Sequence, residues 1–68
     1  MIQIFIRDIN GKRINRSFLS ESEFNRSDWS WYDDDNYEIQ MVLFYGHCIY
    51  NSLAHNKINF DDLRGFFA

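Results

Sequence analysis

The dipeptide Asn10-Gly11, placed just after the run Ile2-Gln3-Ile4-Phe5-Ile6-Arg7, constrains the fold more than any other feature of the chain. The run is rich in β-branched residues and sets Ile2, Ile4 and Ile6 on one face, the pattern of a strand. Asn-Gly is a strong hairpin signal, because both residues tolerate the positive φ that a tight turn demands. Register then decides the loop length. A two-residue loop would set Ile6 opposite Asn15 and Ile4 opposite Ser17, with polar groups against the isoleucines. A three-residue loop, Ile9-Asn10-Gly11, pairs Ile6 with Ile14, Ile2 with Phe18 and Asp8 with Lys12, which keeps one face largely apolar. Gly11 then takes the left-handed position of a bulge. The three-residue loop is therefore expected.

Sixty-eight residues make a single domain, 1–68, and such a chain buries only about 60% of the surface its unfolded form exposes. One cysteine cannot close an intrachain disulfide, so apolar side chains must hold the fold. The supply is good, at 46% hydrophobic and 19% aromatic residues, which is too rich for a disordered chain. The first residues lack the basic start and long apolar run of a signal peptide. The longest apolar stretch, Met41-Val42-Leu43-Phe44-Tyr45, falls far short of the roughly 20 residues that span a bilayer. A soluble protein of a reducing compartment, the cytoplasm, is the expectation, with no membrane partner.

Downstream of the hairpin, Ser20 and Glu23 stand at capping-box spacing, and Leu19 and Phe24 occupy the positions of a hydrophobic staple. Glu21 and Glu23 favour the helix dipole, so a short helix is predicted over 21–29. Residues 33–36, Asp-Asp-Asp-Asn, read as a loop. Alternation over 37–43 predicts a strand with Tyr37, Ile39, Met41 and Leu43 on one face and Glu38 and Gln40 on the other. Gly46 offers a turn, and His47–Asn51 returns as a fourth strand. The competing reading makes residues 47–55 helical, since Ile49, Leu53 and Ala54 also fit helical spacing. Asn59 caps a last helix, with Asp62 at its third position, Ile58 and Leu63 as a second staple, and Leu63, Phe66 and Phe67 as a buried stripe. The fold class expected is α+β: one small domain in the order β-β-α-β-β-α, an antiparallel sheet packed by one or two short helices. With 47–55 helical, the order would be β-β-α-β-α-α.

Few residues carry chemistry. Zinc normally wants four ligands, and His47, Cys48 and His55 supply three, two of them adjacent and pointing apart on a strand. A turn histidine beside a small buried thiol is the expectation there. Asp33-Asp34-Asp35-Asn36 with Glu38 lacks the Gly and Glu that a calcium loop places at its sixth and twelfth positions. Cys48 beside His47 is not a nucleophile–base arrangement, and three scattered glycines make no phosphate loop. A chain of this size rarely forms a pocket of about 300 Å³. No enzyme, cofactor or metal site is expected.

The net charge of −3 conceals an asymmetry: residues 1–26 balance at +2, residues 27–68 at −5. Within the acidic part, Trp29, Trp31, Tyr32, Asp33, Asp34, Asp35 and Tyr37 form the candidate partner-binding segment. Trp and Tyr bury much area for little lost side-chain entropy, and flanking aspartates steer a basic partner. If extended, the segment sets both tryptophans on one face. The plainer reading packs Trp29 or Trp31 on the core and leaves the aspartates as a solvated loop.

The function expected is non-enzymatic: a small acidic protein that binds a macromolecular partner with a basic surface, with Asp61 and Asp62 adjoining the segment. Such a protein can block the nucleic-acid-binding surface of a nucleic-acid-handling complex, in the manner of a phage or mobile-element inhibitor of anti-CRISPR or anti-restriction type. Two rivals stand beside it. One is a homodimer or accessory subunit that buries spare aromatics among two Trp, four Tyr and seven Phe. The other binds nucleic acid directly, with Lys12, Arg13 and Arg16 on phosphates and Phe5 or Phe18 stacked on bases. The acidic half disfavours the second.

Overall fold

A computed structural model describes all of residues 1–68 and begins with the expected hairpin. Strand β1 (Ile2–Asp8) pairs antiparallel with β2 (Arg13–Phe18), with Ile2 opposite Phe18 and Ile6 opposite Ile14. The Asp8 amide donates to the Lys12 carbonyl at 2.9 Å, and Gly11 sits at φ +86°. The Asp8 carboxylate accepts from the Asn10 and Lys12 amides at 2.9 and 2.8 Å, closing the loop from within. Helix α1 (Glu21–Arg26), strands β3 (Tyr37–Phe44) and β4 (His47–Asn51) and helix α2 (Phe60–Phe66) complete the order β-β-α-β-β-α. The sheet runs β2-β1-β3-β4, antiparallel throughout. Both helices lie on one face, over Ile2, Ile4, Ile6, Phe18, Ile39, Val42 and Tyr50, which meet Phe24, Tyr32, Leu63 and Phe67 in one buried cluster. The fold is α+β, and β4 is a strand rather than the start of a helix.

Strand β3 does not alternate cleanly. Ile6 pairs with Ile39 and Phe5 with Met41, so Gln40 is an extra residue, a β-bulge between the two pairs. The bulge shifts the phase of the strand. Tyr37 and Ile39 face the helices as expected, but Val42 replaces Met41 and Leu43 on that face and is fully buried. Met41 and Leu43 lie beside Phe5 and Gln3 on the open side. A second irregularity falls between Val42 and Leu43, where Val42 pairs with Tyr50 and Leu43 with Cys48, leaving Ile49 unpaired. Cys48 consequently lies exposed, not buried as expected.

Helix α1 ends at Arg26, three residues short of the predicted 29. Ser27 stops it: its hydroxyl donates to the Glu23 carbonyl at 2.8 Å while its own amide turns to Phe24 at 3.2 Å. Ser20 caps the start, accepting from the Glu23 amide at 3.3 Å, but Glu23 reaches back to the Leu19 amide at 2.9 Å rather than to that of Ser20. Leu19 is 71% exposed, so the first staple does not form. Helix α2 has the full capping box between Asn59 and Asp62. Its apolar stripe is narrower than predicted: Leu63 and Phe67 are buried, whereas Phe66 is 44% exposed. A helix this short presents one line of i, i+4 contacts, and Phe66 stands a step off it. No helix is long and apolar enough to cross a membrane.

Candidate partner-binding face

The segment from Asp28 to Tyr37 folds as consecutive turns rather than an extended strand. Asp28 opens it by accepting the Ser30 amide at 2.9 Å, and this bond holds its carboxyl below the usual carboxylate range. The Tyr32 amide donates to the Trp29 carbonyl at 3.0 Å, and the Trp31 indole to the Asp28 carbonyl at 3.2 Å. Turning still brings the two indoles together: they stack with centroids 5.4 Å apart.

The pair is layered. Trp29 is the inner ring, against Phe18, Phe24 and Phe60 at 5.8, 5.3 and 5.2 Å. Trp31 is the outer one, its edge contacts made by Tyr32 and Tyr37 and its ring covered by the Arg16 guanidinium at 5.1 Å. That cation–π contact crosses from the basic hairpin to the acidic segment, and sequence reading missed it. No spacing rule connects Arg16 with Trp31; the fold does. Tyr32 is a core residue. Its ring lies against Tyr37 at 5.5 Å and Phe60 at 5.3 Å, and burial, reinforced by the Asp34 charge, raises its phenol above the usual range. The Tyr32 ring therefore belongs to the core beneath the segment, not to its surface. Tyr37 is half-buried.

The three aspartates are all exposed, with distinct attachments. Asp33 folds into its own loop, accepting the side-chain amide of Asn36 at 2.9 Å and the backbone amides of Asn36 and Asp35 at 2.8 and 3.0 Å. These bonds, the Asn36 side chain foremost, hold its carboxyl low. Asp34 accepts the Phe60 amide at 3.0 Å, clamping the loop to the first turn of α2, where Asp61 and Asp62 stand. Asp35 makes no side-chain hydrogen bond. The Ile9 amide donates to the Asn36 carbonyl at 3.0 Å, which ties the loop to the first hairpin as well.

Between these attachments lies an open polar cleft of about 480 Å³, larger than the size of the chain suggested. Four carboxylates reach it, from Asp8, Asp34, Asp35 and Glu38, with Arg7 and Lys57 among them. Asp8 and Glu38 come from β1 and β3, which only the sheet order makes neighbours. Arg7 and Glu38 form a loose, solvent-facing pair at 3.9 Å.

The remaining candidates separate. No three His, Cys, Asp or Glu side chains are grouped to hold a metal ion. The His55 ring stacks on Tyr50, and its Nδ1 lies 3.1 Å from both the amide and the carbonyl of Asn51. Phe18 is buried and cannot stack on a base. Arg16 sits opposite Ile4 on the helix side of the sheet and Arg13 opposite Arg7 on the other, so the basic hairpin does not present one cationic face.

Fold and face together define a small α+β domain in which Asp8, Asp34, Asp35 and Glu38 line one cleft at an end of a four-stranded antiparallel sheet. No family model matches the chain, and neither a curated protein nor a solved structure matches it.

Proposed function

We propose that this protein acts without catalysis, by docking its acidic end on a basic surface of another protein. The observation that carries the reading is the clamp from Asp34 to the Phe60 amide at 3.0 Å, which joins the aspartate loop to the first turn of α2, where Asp61 and Asp62 lie. A row of carboxylates on a rigid support competes for the Lys and Arg groups that otherwise hold phosphates. Trp31, with the half-buried Trp29 and Tyr37, supplies the apolar margin of the docking face. The most specific form of the proposal is an inhibitor that shields a nucleic-acid-handling complex in the cytoplasm, of the anti-CRISPR or anti-restriction kind carried by phages and mobile elements. Size and charge support that form by analogy.

The test is competition. The chain, used as bait, captures a protein, and that protein's own affinity for DNA or RNA is measured with and without the chain. Wild-type chain is expected to weaken nucleic-acid binding, and the triple variant Asp33→Asn, Asp34→Asn, Asp35→Asn to lose the effect. Asparagine keeps an oxygen for the Phe60 and Asn36 amides, so the variant separates charge from folding. Equal competition by the variant refutes the proposal. So does direct binding of DNA or RNA by the chain itself, with an affinity that falls steeply as salt rises.

A further inference from the structure

The face of the sheet turned away from the helices carries a recess of about 200 Å³, lined by Phe5, Arg7, Arg13, Asn15, Gln40 and Met41. Its polar groups are two guanidiniums and two amides, and no carboxylate lines it. On a chain of net charge −3 this is a local excess of cations. Arg7 and Arg13 are direct cross-strand partners, an arrangement in which like charges oppose pairing. Arg13 has no carboxylate partner, and Arg7 has only the loose contact with Glu38 at 3.9 Å. The β3 bulge brings Gln40 to the recess, where its Nε2 is buried and has no hydrogen-bond acceptor. Bulges often re-aim a side chain beside a functional site. Phe5 lies on β1 two residues from Arg7, a strand separation of roughly 7 Å.

We propose that this recess binds a nucleoside monophosphate. The base lies on Phe5, the phosphate sits between Arg7 and Arg13, and the exposed Asn15 amide, on the strand position opposite Phe5, meets the polar edge of the base. Each part of the recess selects one part of the ligand. An inorganic anion leaves Phe5 bare. A simple aryl phosphate satisfies the ring and the arginines but offers no edge to the Asn15 amide. The recess shares Arg7 with the carboxylate-lined cleft, and its other lining residues lie outside that cleft.

Titration of the uniformly labelled chain, followed by amide NMR, tests the assignment with adenosine monophosphate, adenosine, phenyl phosphate and inorganic phosphate. Adenosine monophosphate is expected to shift the signals of the recess residues, including the side-chain NH2 group of Asn15, and to bind tightest of the four. Arg13→Gln, at an exposed position, is expected to weaken it about tenfold, the scale of one charge-assisted hydrogen bond. Unchanged signals elsewhere in the spectrum show that the variant is folded. Four results overturn the proposal: no shifts at millimolar nucleotide, shifts outside the recess, equal binding of phenyl phosphate, or an Arg13→Gln variant that binds as well as wild type.

Discussion

Two adjacent phenylalanines at the end of α2 make a sharp test of the packing. Phe67 is 4% exposed, with ring centroids 4.8 Å from Phe24 and 5.9 Å from Phe44. Its carbonyl accepts the Asn25 side chain at 2.9 Å, which fixes the chain end against α1. Phe66 is 44% exposed and touches Phe67 edge-on at 6.2 Å. Truncating a buried phenylalanine to alanine costs about 3 to 5 kcal/mol, the lost transfer energy plus the cavity left behind. For Phe66 the surface removed from water is roughly half that of a buried ring, so Phe66→Ala should cost about 1 kcal/mol. A domain of this length has a total stability of roughly 3 to 10 kcal/mol, so Phe67→Ala removes between about a third and all of it. Urea unfolding read by tryptophan fluorescence measures both, Trp29 lying 5.3 Å from Phe24 within the same aromatic cluster. The midpoint should drop steeply for Phe67→Ala and slightly for Phe66→Ala, with unchanged slope in the milder variant. Equal losses, or a larger loss at Phe66, would refute the assignment of the buried face.

Other consequences are checked as directly. Deleting Gln40 should preserve the fold, because the pairs Ile6–Ile39, Phe5–Met41 and Ile4–Val42 then follow one another without a bulge. The expected cost is about 1 kcal/mol for the Ser52 amide that Gln40 accepts; a chain that no longer folds would show that the bulge is required. Arg13→Glu turns an opposed like-charge pair with Arg7 into an attractive one, and should raise stability by about 0.2 to 1 kcal/mol in low salt, less in high salt. Asp28 and Asp33 titrate below the ordinary value of 3.8, so the stability they lend is present above that pH and lost as pH falls through their lowered values. The acid limb of a stability–pH curve should accordingly soften in Asp33→Asn. Tyr32 has the opposite sign: its phenol is raised from 10.0, so stability holds below pH 10 and falls above it, and Tyr32→Phe should flatten that alkaline limb.

Much of the fold was legible from local patterns because those patterns state their own geometry. Asn10-Gly11 and the isoleucine phase determine a register, and the pairs Ile6–Ile14 and Ile2–Phe18 follow. Asn59 and Asp62 specify a helix start through two hydrogen bonds, and both are present. The misreadings have separate local causes. Alternation over Tyr37–Leu43 assumes one residue per pairing step, and a bulge at Gln40 violates that without any Gly or Pro to announce it. Val42 is apolar, β-branched and as suited to the core as Met41, so composition could not separate the two phases. At Ser27 the side chain competes with the backbone for the Glu23 carbonyl, a local contest that hydrophobic spacing does not register.

The candidate face was legible to the extent that it is contiguous in sequence. The stacked indoles and the exposed aspartates come from one ten-residue stretch, and their proximity needs no knowledge of the sheet. Asp8, Glu38 and Arg16 join them only because β1 lies between β2 and β3, a neighbour relation that no local pattern encodes. The same order divides the cations of the first hairpin, sending Arg16 to the Trp31 ring and Arg13 to the open face. Summed along the chain, residues 1–26 are simply basic. Folded, one of their arginines covers the aromatic margin of the acidic end, and another sits unpaired in a carboxylate-free recess. The charge that each place presents then depends on which side chains the strands bring alongside, rather than on the charge of the segment that supplied them.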